Sequence, residues 1–351
     1  MNPILRLLKY AVAAALGVCG AFVILFAGYG WSHGFDVWSG LQHVITLSPE
    51  TVEQQPIVER APWQVVSWVA DIESRELDES SGLAASNLHD DLFWSINDSG
   101  SKPYIYAIGM DGADLGAWQV DVATAIDWES MDAFTLDGES YLIIGDTGDN
   151  FRWRPTVRLL VVPEPKDLLA RGEPLPVAWE IQYRYPEGYR DSESLGVDVS
   201  SETVYLVSKR HYPPEVFTVP LRAKGVVEAV KIADLVDIPR LTEREVDEDG
   251  GAHYRYSPGG MDIAGDRLLL TTYKHVYLYN LDVLSDKPTR IDMPSLGQRE
   301  AISFARGRDD VAYVTRERQR GKGVADLFKV EFSTEPTLSV QTPAAERTDA
   351  Q

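Results

Sequence analysis

From residue 63 onward, hydrophobic positions come in short runs of Val, Ile, Leu, Tyr and Trp, separated by clusters of Gly, Asp, Pro and Ser. The runs have the length of strands, and no apolar pattern of helical period interrupts them, so the pattern predicts an all-β domain. One unit recurs. It opens on a polar pair and a short apolar strand, turns into a second apolar strand, and passes through a charged loop to a strand rich in Tyr or Phe. The first copy reads "SGLAAS", "LFWSINDSG", "YIYAI", and the second "ESMDAF", "YLIIGDTGDN", "VRLLVVPEP". The third to fifth open at "ESLGVDVS", "GGMDI" and "EAISFA". Fourth strands fit the gaps, for example 177–185 and 226–233.

Four strands per unit, repeated with variable loops, predict a β-propeller over residues 63–335. The count is five blades, or six if one unit is too weak to register. The strand-like segment Trp63–Ile72 precedes the first repeat and is placed as the outer strand of the last blade, closing the ring.

Strand reversal then fixes what shares a face. In a meander whose innermost strand comes first, the residue opening strand one lies beside the loop after strand two. Ser81, Glu129, Glu193, Gly259 and Glu300 should therefore ring the central channel. Beside them come Asn97 and Asp98, Asp146 to Asn150, Lys209 to His211, Tyr273 and Lys274, and Arg316 and Glu317. The loop "GDTGDN" thus falls at the mouth of a polar funnel, the default place to look for a ligand.

Residues 1–31 differ. Arg6 and Lys9 precede an uncharged stretch from Tyr10 to Trp31, and no further Lys or Arg follows until Arg60. About 20 apolar residues cross a bilayer core, and positive charge on the N-terminal side leaves the remainder outside the cytoplasm. The expectation is a single-pass anchor or uncleaved signal in the cytoplasmic membrane, held through residues 10–31, with a periplasmic C-terminal domain. A cleaved signal peptide is the rival. Residues 32–62 read as a linker and 336–351 as a disordered tail. Cys19, the only cysteine, lies in the apolar stretch, so the exported domain has neither disulfides nor thiolate chemistry.

Charge narrows the partners. The 54 acids against 33 bases give a net charge of −21. No basic cluster offsets that field, so nucleic acid is excluded, and the run Arg316–Lys322 reads as a solvated loop. The funnel residues sharpen the question, because several carboxylates in one mouth require a cation. A hard metal such as Ca²⁺ would serve, and so would an internal supply from Lys209, Arg210, Lys274 and Arg316. Asp146 and Asp149 can also be plain turn residues. Asp149, Asn150, Lys209, Arg210, His211, Lys274 and Arg316 are the candidate ligand-binding residues. Of these, His211 is the candidate general base. Trp94, Trp128 and Trp179 read as packing aromatics.

The string "LFWSINDSG", "DWESM", "GDTGDN" with "VPEP", then "DSESL" resembles a family of exported bacterial propellers of poorly defined function. More distantly the layout is similar to calcium-dependent propeller lactonases and esterases and to strictosidine-synthase-like propellers. That resemblance implies a metal in the funnel, with Glu129, Glu193, Glu300, Asp98 and Asp146 as ligands. Ser81 and Gly259 depart from it by offering no carboxylate, and blades three to five carry Lys or Arg in the equivalent loops. Two functions stay open. One is a binding module that recognises a small ligand or an envelope protein through its acidic funnel. The other is a divalent-metal-dependent hydrolase of an ester, lactone or phosphoester.

Overall fold

The computed structural model describes residues 17, 20–46, 51–98, 100, 102–170, 172–245, 255–294, 298–317 and 325–333. The first strand, β1 (Trp63–Asp71), stands apart from the strands that follow it. Blade one is β2 (Ser80–Ala85), β3 (Leu92–Asn97), β4 (Tyr104–Gly109) and β5 (Asp114–Gln119). Blade two is β6 (Trp128–Leu136), β7 (Glu139–Asp146), β8 (Val157–Pro163) and β9 (Trp179–Arg184). Blade three is β10 (Ser192–Asp198), β11 (Thr203–Ser208), β12 (Glu215–Pro220) and β14 (Val230–Asp234). The short strand β13 (Val226–Glu228) crosses back to extend blade two, parallel to β9. One apolar segment, 226–233, thus serves two blades, dividing at Ala229.

Blade four is β15 (Pro258–Ala264), β16 (Arg267–Thr272), β17 (His275–Asn280) and β18 (Thr289–Asp292). Blade five is β19 (Ala301–Phe304), β20 (Val311–Arg316) and β21 (Asp326–Ser333), completed by β1. The β1–β21 ladder is antiparallel and pairs Trp63 with Ser333 through Asp71 with Asp326. The propeller therefore has five blades, and its first strand closes the ring.

Each blade buries both faces only against its neighbours, and the core divides accordingly. Five clusters of buried apolar side chains each fill one gap between adjacent blades. Between blades one and two, for example, Trp94, Ile96 and Trp118 meet Met131, Leu142 and Leu160. Near the axis the inner strands come too close for side chains. A Cβ on Gly82 would lie 2.7 Å from the Met131 nitrogen, and one on Gly260 would lie 2.7 Å from the Glu300 carbonyl oxygen.

The segment before β1 lies against the propeller. Val52 donates its N–H to the Leu241 carbonyl at 3.1 Å, Val58 joins the gap between blades three and four, and Ala61 donates to the Arg290 carbonyl. A helix, Val37–Thr46, occupies part of the predicted linker. Residues 20–32 are also helical. Among the described residues no helix is long and apolar enough to cross a membrane. Residues 1–16, 18 and 19 of the predicted anchor lie outside them, as do His253, residues 318–322 of the predicted basic loop and the tail 336–351.

Candidate functional site

The inner strands begin irregularly, and this builds the site. In four blades the register of strand one against strand two slips by one residue. The slips fall between Ser80 and Gly82, Trp128 and Ser130, Ser192 and Ser194, and Pro258 and Gly260. The residue left unpaired is Ser81, Glu129, Glu193 or Gly259, the four ring positions. A bulge re-aims the side chain of its extra residue. In blade five, Glu300 immediately precedes β19.

Around this ring the structure assembles the ring and loop acids together with two that strand order had not singled out, Asp127 and Asp191. Oxygens of Asp98, Asp127 and Glu129 lie within 4.8 Å of one another. The same holds for Glu129, Asp191 and Glu193, and for Asp98, Glu300 and Glu317. Internal cations reach only part of this field. Lys209 is buried between Glu193, with which it forms an ion pair, and Glu300, whose Oε1 is 3.4 Å from its Nζ. Burial opposes the charge on Lys209, but Glu193 and Glu300 outweigh it and hold the ammonium charged. Tyr273 closes over this pair: Lys209 Nζ sits 5.6 Å from its ring centroid, and its hydroxyl donates to Glu300. Arg210 pairs with Asp191 and also donates to Asn150.

Burial and then the hydrogen bond with Glu300 push the Glu317 carboxyl up to about 11. Burial alone would raise Glu300 too, but Lys209 and the bonds from Glu317 and Tyr273 hold it below the usual carboxylate range.

Asp98, Asp127 and Glu129 form the other half of the mouth. Among the described residues, no ion pair joins Asp127 or Glu129 to a basic side chain. Ser81 Oγ donates to Glu129 at 3.3 Å, while Asp127 Oδ1 is buried with no hydrogen-bond partner. Burial, then the charges of Asp191 and Asp98, push Asp127 up to about 7. Burial, then Glu193, Asp127 and Asp98, push Glu129 well above its ordinary value.

The "GDTGDN" loop is the wall of this half. A Cβ on Gly148 would lie 2.4 Å from Asp127 Oδ2 and 2.7 Å from Glu129 Oε1, so only glycine lets the backbone approach both carboxylates. The two aspartates of the loop do other work. Asp146 is buried between Arg154 Nη2 at 2.8 Å and Arg158 Nη2 at 2.9 Å, and also accepts the Asp127 N–H at 3.1 Å. Asp149 accepts the N–H groups of Trp153 and Arg154, both at 2.9 Å, and so ties the loop's end to its start.

Of the predicted metal ligands, the structure brings Glu129, Glu193, Glu300 and Asp98 together in the channel mouth, while Asp146 is committed to two arginines. Of the predicted ligand-binding residues, Lys209 lies at the centre. Arg210 and Asn150 lie at the edge of the mouth. His211 stands 3.7 Å from Glu215, Lys274 lies over the Tyr256 ring at 5.5 Å, and Arg316 pairs with Asp326 across the β20–β21 ladder. Asp127 and Asp191 are the additions, while Tyr273 and Glu317, expected in the funnel loops, gain a role there. A signal existed for both additions: Asp127 and Asp191 each stand two residues before a ring glutamate, in "DWE" and "DSE".

The fit to a cation differs between the two halves. Around Lys209 an internal ammonium already serves Glu193 and Glu300. At Asp98, Asp127 and Glu129 three carboxylates, an orphaned buried oxygen and a glycine-lined wall fit a hard cation that takes oxygen ligands.

No protein-family model matches the sequence, and no curated protein does. Similar solved structures include a luciferin-regenerating enzyme at 9% identity, covering 77% of this chain and 95% of that one with a TM-score of 0.41. A gluconolactonase from Xanthomonas campestris shows 12% identity over 82% of this chain and 98% of its own, with a TM-score of 0.40. The PQQ-bound aldose sugar dehydrogenase from Streptomyces coelicolor shows 11% identity over 79% and 100%, with a TM-score of 0.39. At these similarities the neighbours carry no weight for the function of this chain.

Proposed function

We propose that the protein is a membrane-tethered, extracytoplasmic propeller that acts as a binding module, taking a cation at Asp98, Asp127 and Glu129. The observation that carries this reading is the buried, partnerless Oδ1 of Asp127 beside two further carboxylates. A buried polar atom without a partner costs about 1–3 kcal/mol, and a bound cation removes that cost. Ca²⁺ suits a set of carboxylate oxygens with irregular placement. Net charge −21 raises the local concentration of any cation. Reporter fusion after Gln351 tests the topology: activity only in the cytoplasm refutes it.

The second reading, a hydrolase of an ester, lactone or phosphoester, uses the same three ligands. A divalent ion held there would supply Lewis-acid polarisation of a substrate oxygen. What favours it is the cluster of three carboxylates itself; the proton would be handled by a group outside the cluster, because a bound ion takes the place of the proton on Asp127. His211, engaged near Glu215, does not serve that role.

The deciding experiment is thermal unfolding of the full chain, in mild detergent, with and without Ca²⁺. A ligand bound only by the native state at about 100 times its Kd stabilises by roughly 2.7 kcal/mol. A melting temperature unmoved by millimolar Ca²⁺ and Mg²⁺ removes the metal from both readings. Turnover of lactone or aryl-ester substrates that needs the ion would favour the second.

A further inference from the structure

The helical residues 20–32 present apolar side chains all round. Phe26 and Gly30 face the propeller, while Phe22, Val23, Ile24 and Leu25 are exposed, Ile24 by 73%. Trp31 is exposed by 86% and Trp38, on the helix Val37–Thr46, by 69%. A helix apolar on every side is stable where no side meets water. The exposed stretch continues, in sequence, the uncharged run that starts at Tyr10. Trp and Tyr are the residues that settle at the headgroup level of a bilayer, and Tyr29, Trp31 and Trp38 stand where the run ends.

What this helix packs against fixes the orientation. Trp153 stacks on Phe26 with centroids 4.3 Å apart and lies 5.2 Å from Phe35. Its carbonyl accepts the Asp36 N–H at 2.6 Å, and the Arg152 carbonyl accepts Ser39 Oγ at 2.8 Å. Glycines permit the contact: a Cβ on Gly30 or Gly40 would come within 3.1 or 3.2 Å of the Trp153 ring. Tyr189, before β10, donates to Asp36 at 3.1 Å. Trp153 and Tyr189 both belong to loops on the funnel face, and Trp153 is held by Asp149 of the "GDTGDN" loop.

We infer that the propeller lies with its acidic mouth toward the lipid bilayer, docked through residues 20–32 and Trp38. The ligand that reaches the site is then one presented at the membrane surface. The inference rests on the tether proposed above and adds the face that meets the lipid. The bilayer is the favoured occupant, because the exposed face is continuous with the apolar run and carries aromatic residues at its boundary.

The test uses the full chain, with Cys19 replaced by Ser, reconstituted into phosphatidylcholine vesicles bearing an acceptor fluorophore on the headgroups. A donor is attached through Glu187→Cys, on the funnel face between β9 and β10, or through Asp266→Cys, in the β15–β16 turn on the opposite face. The two faces are separated by a strand of six residues, about 20 Å at roughly 3.3 Å per residue. Energy transfer should be at least about twofold stronger from position 187, and Trp38→Glu should shrink that contrast. Equal or reversed transfer in protein that stays with the vesicles overturns the orientation and leaves the tether standing. Dimer formation with no contrast would show a second copy, not lipid, on the helix. Release of the chain from vesicles by alkaline carbonate overturns the tether and the orientation with it.

Discussion

The ammonium of Lys209, at the end of the third blade's second strand, lies 3.4 Å from Oε1 of Glu300, at the start of the fifth blade's first strand. This contact spans the channel, and Glu193 completes it from below the same ammonium. One lysine is therefore shared by two of the three ring glutamates. The third, Glu129, is left among acids.

Removing the lysine should leave two buried carboxylates without their cation. Breaking a buried pair by removing one partner costs about 3–5 kcal/mol. Lys209→Met is expected to lose that much in urea unfolding at pH 8, followed by tryptophan fluorescence, and to recover part of it at pH 5. An unchanged midpoint at pH 8 would contradict the arrangement.

Glu193 and Glu129 should answer the same substitution with opposite signs. Glu193→Gln strips Lys209 of one partner and should destabilise by about 1–3 kcal/mol. Glu129→Gln removes a charge surrounded by charges of the same sign and should be neutral or stabilising in chelator. Adding Ca²⁺ should restore the wild-type advantage over Glu129→Gln. The readout is the difference in melting temperature with and without the ion.

Acidity should separate the free and the cation-loaded protein. The folded values of Asp127, about 7, and Glu129 lie above those of unfolded carboxylates near 4. In this window the native state binds more protons than the unfolded one, so stability falls as pH rises from about 4 to 7. In chelator the melting temperature should therefore climb as pH drops from 8 toward 5. With saturating Ca²⁺ the ion replaces the protons and the slope should flatten or reverse. A chelated protein more stable at pH 8 than at pH 5.5 would refute the raised values.

Gly148→Ala probes the wall of the site. Its Cβ would meet the Asp127 carboxylate at 2.4 Å, and overpacking of this kind costs about 1–3 kcal/mol. Titration calorimetry should show Ca²⁺ affinity weakened at least about tenfold. Asp146→Asn should instead lower stability, by loosening Arg154 and Arg158, while leaving the affinity within a few-fold. If the two variants exchange these phenotypes, the ion sits on Asp146.

The blades were legible because their signal is periodic: each strand must alternate or run apolar to fill an inter-blade gap. Closure by Trp63–Asp71 was legible because one strand-like segment preceded the first repeat. The helix Val37–Thr46 was hidden because its apolar stripe, Val37, Leu41 and Val44, spans only ten residues and stands between the apolar run and a polar segment. In the site, the ring positions followed from strand order. Asp146 was misleading because a loop carboxylate looks the same in sequence whether it faces a channel or two arginines twelve residues or fewer away. Asp127 lies just outside the repeated strands, so strand order did not mark it; its only sequence signal was its place two residues before Glu129.

Ring closure also dictates a schedule. The β1 strand leaves the ribosome, and by the predicted topology crosses the membrane, well before β21 is made. Its partner edge is unavailable for more than 250 residues of synthesis, and an unpaired strand edge carrying Val65 and Trp68 invites association with other chains. Contacts of such sequence separation are slow to form. The emerging chain therefore passes through a period as an open, four-gap arc until the last strand arrives.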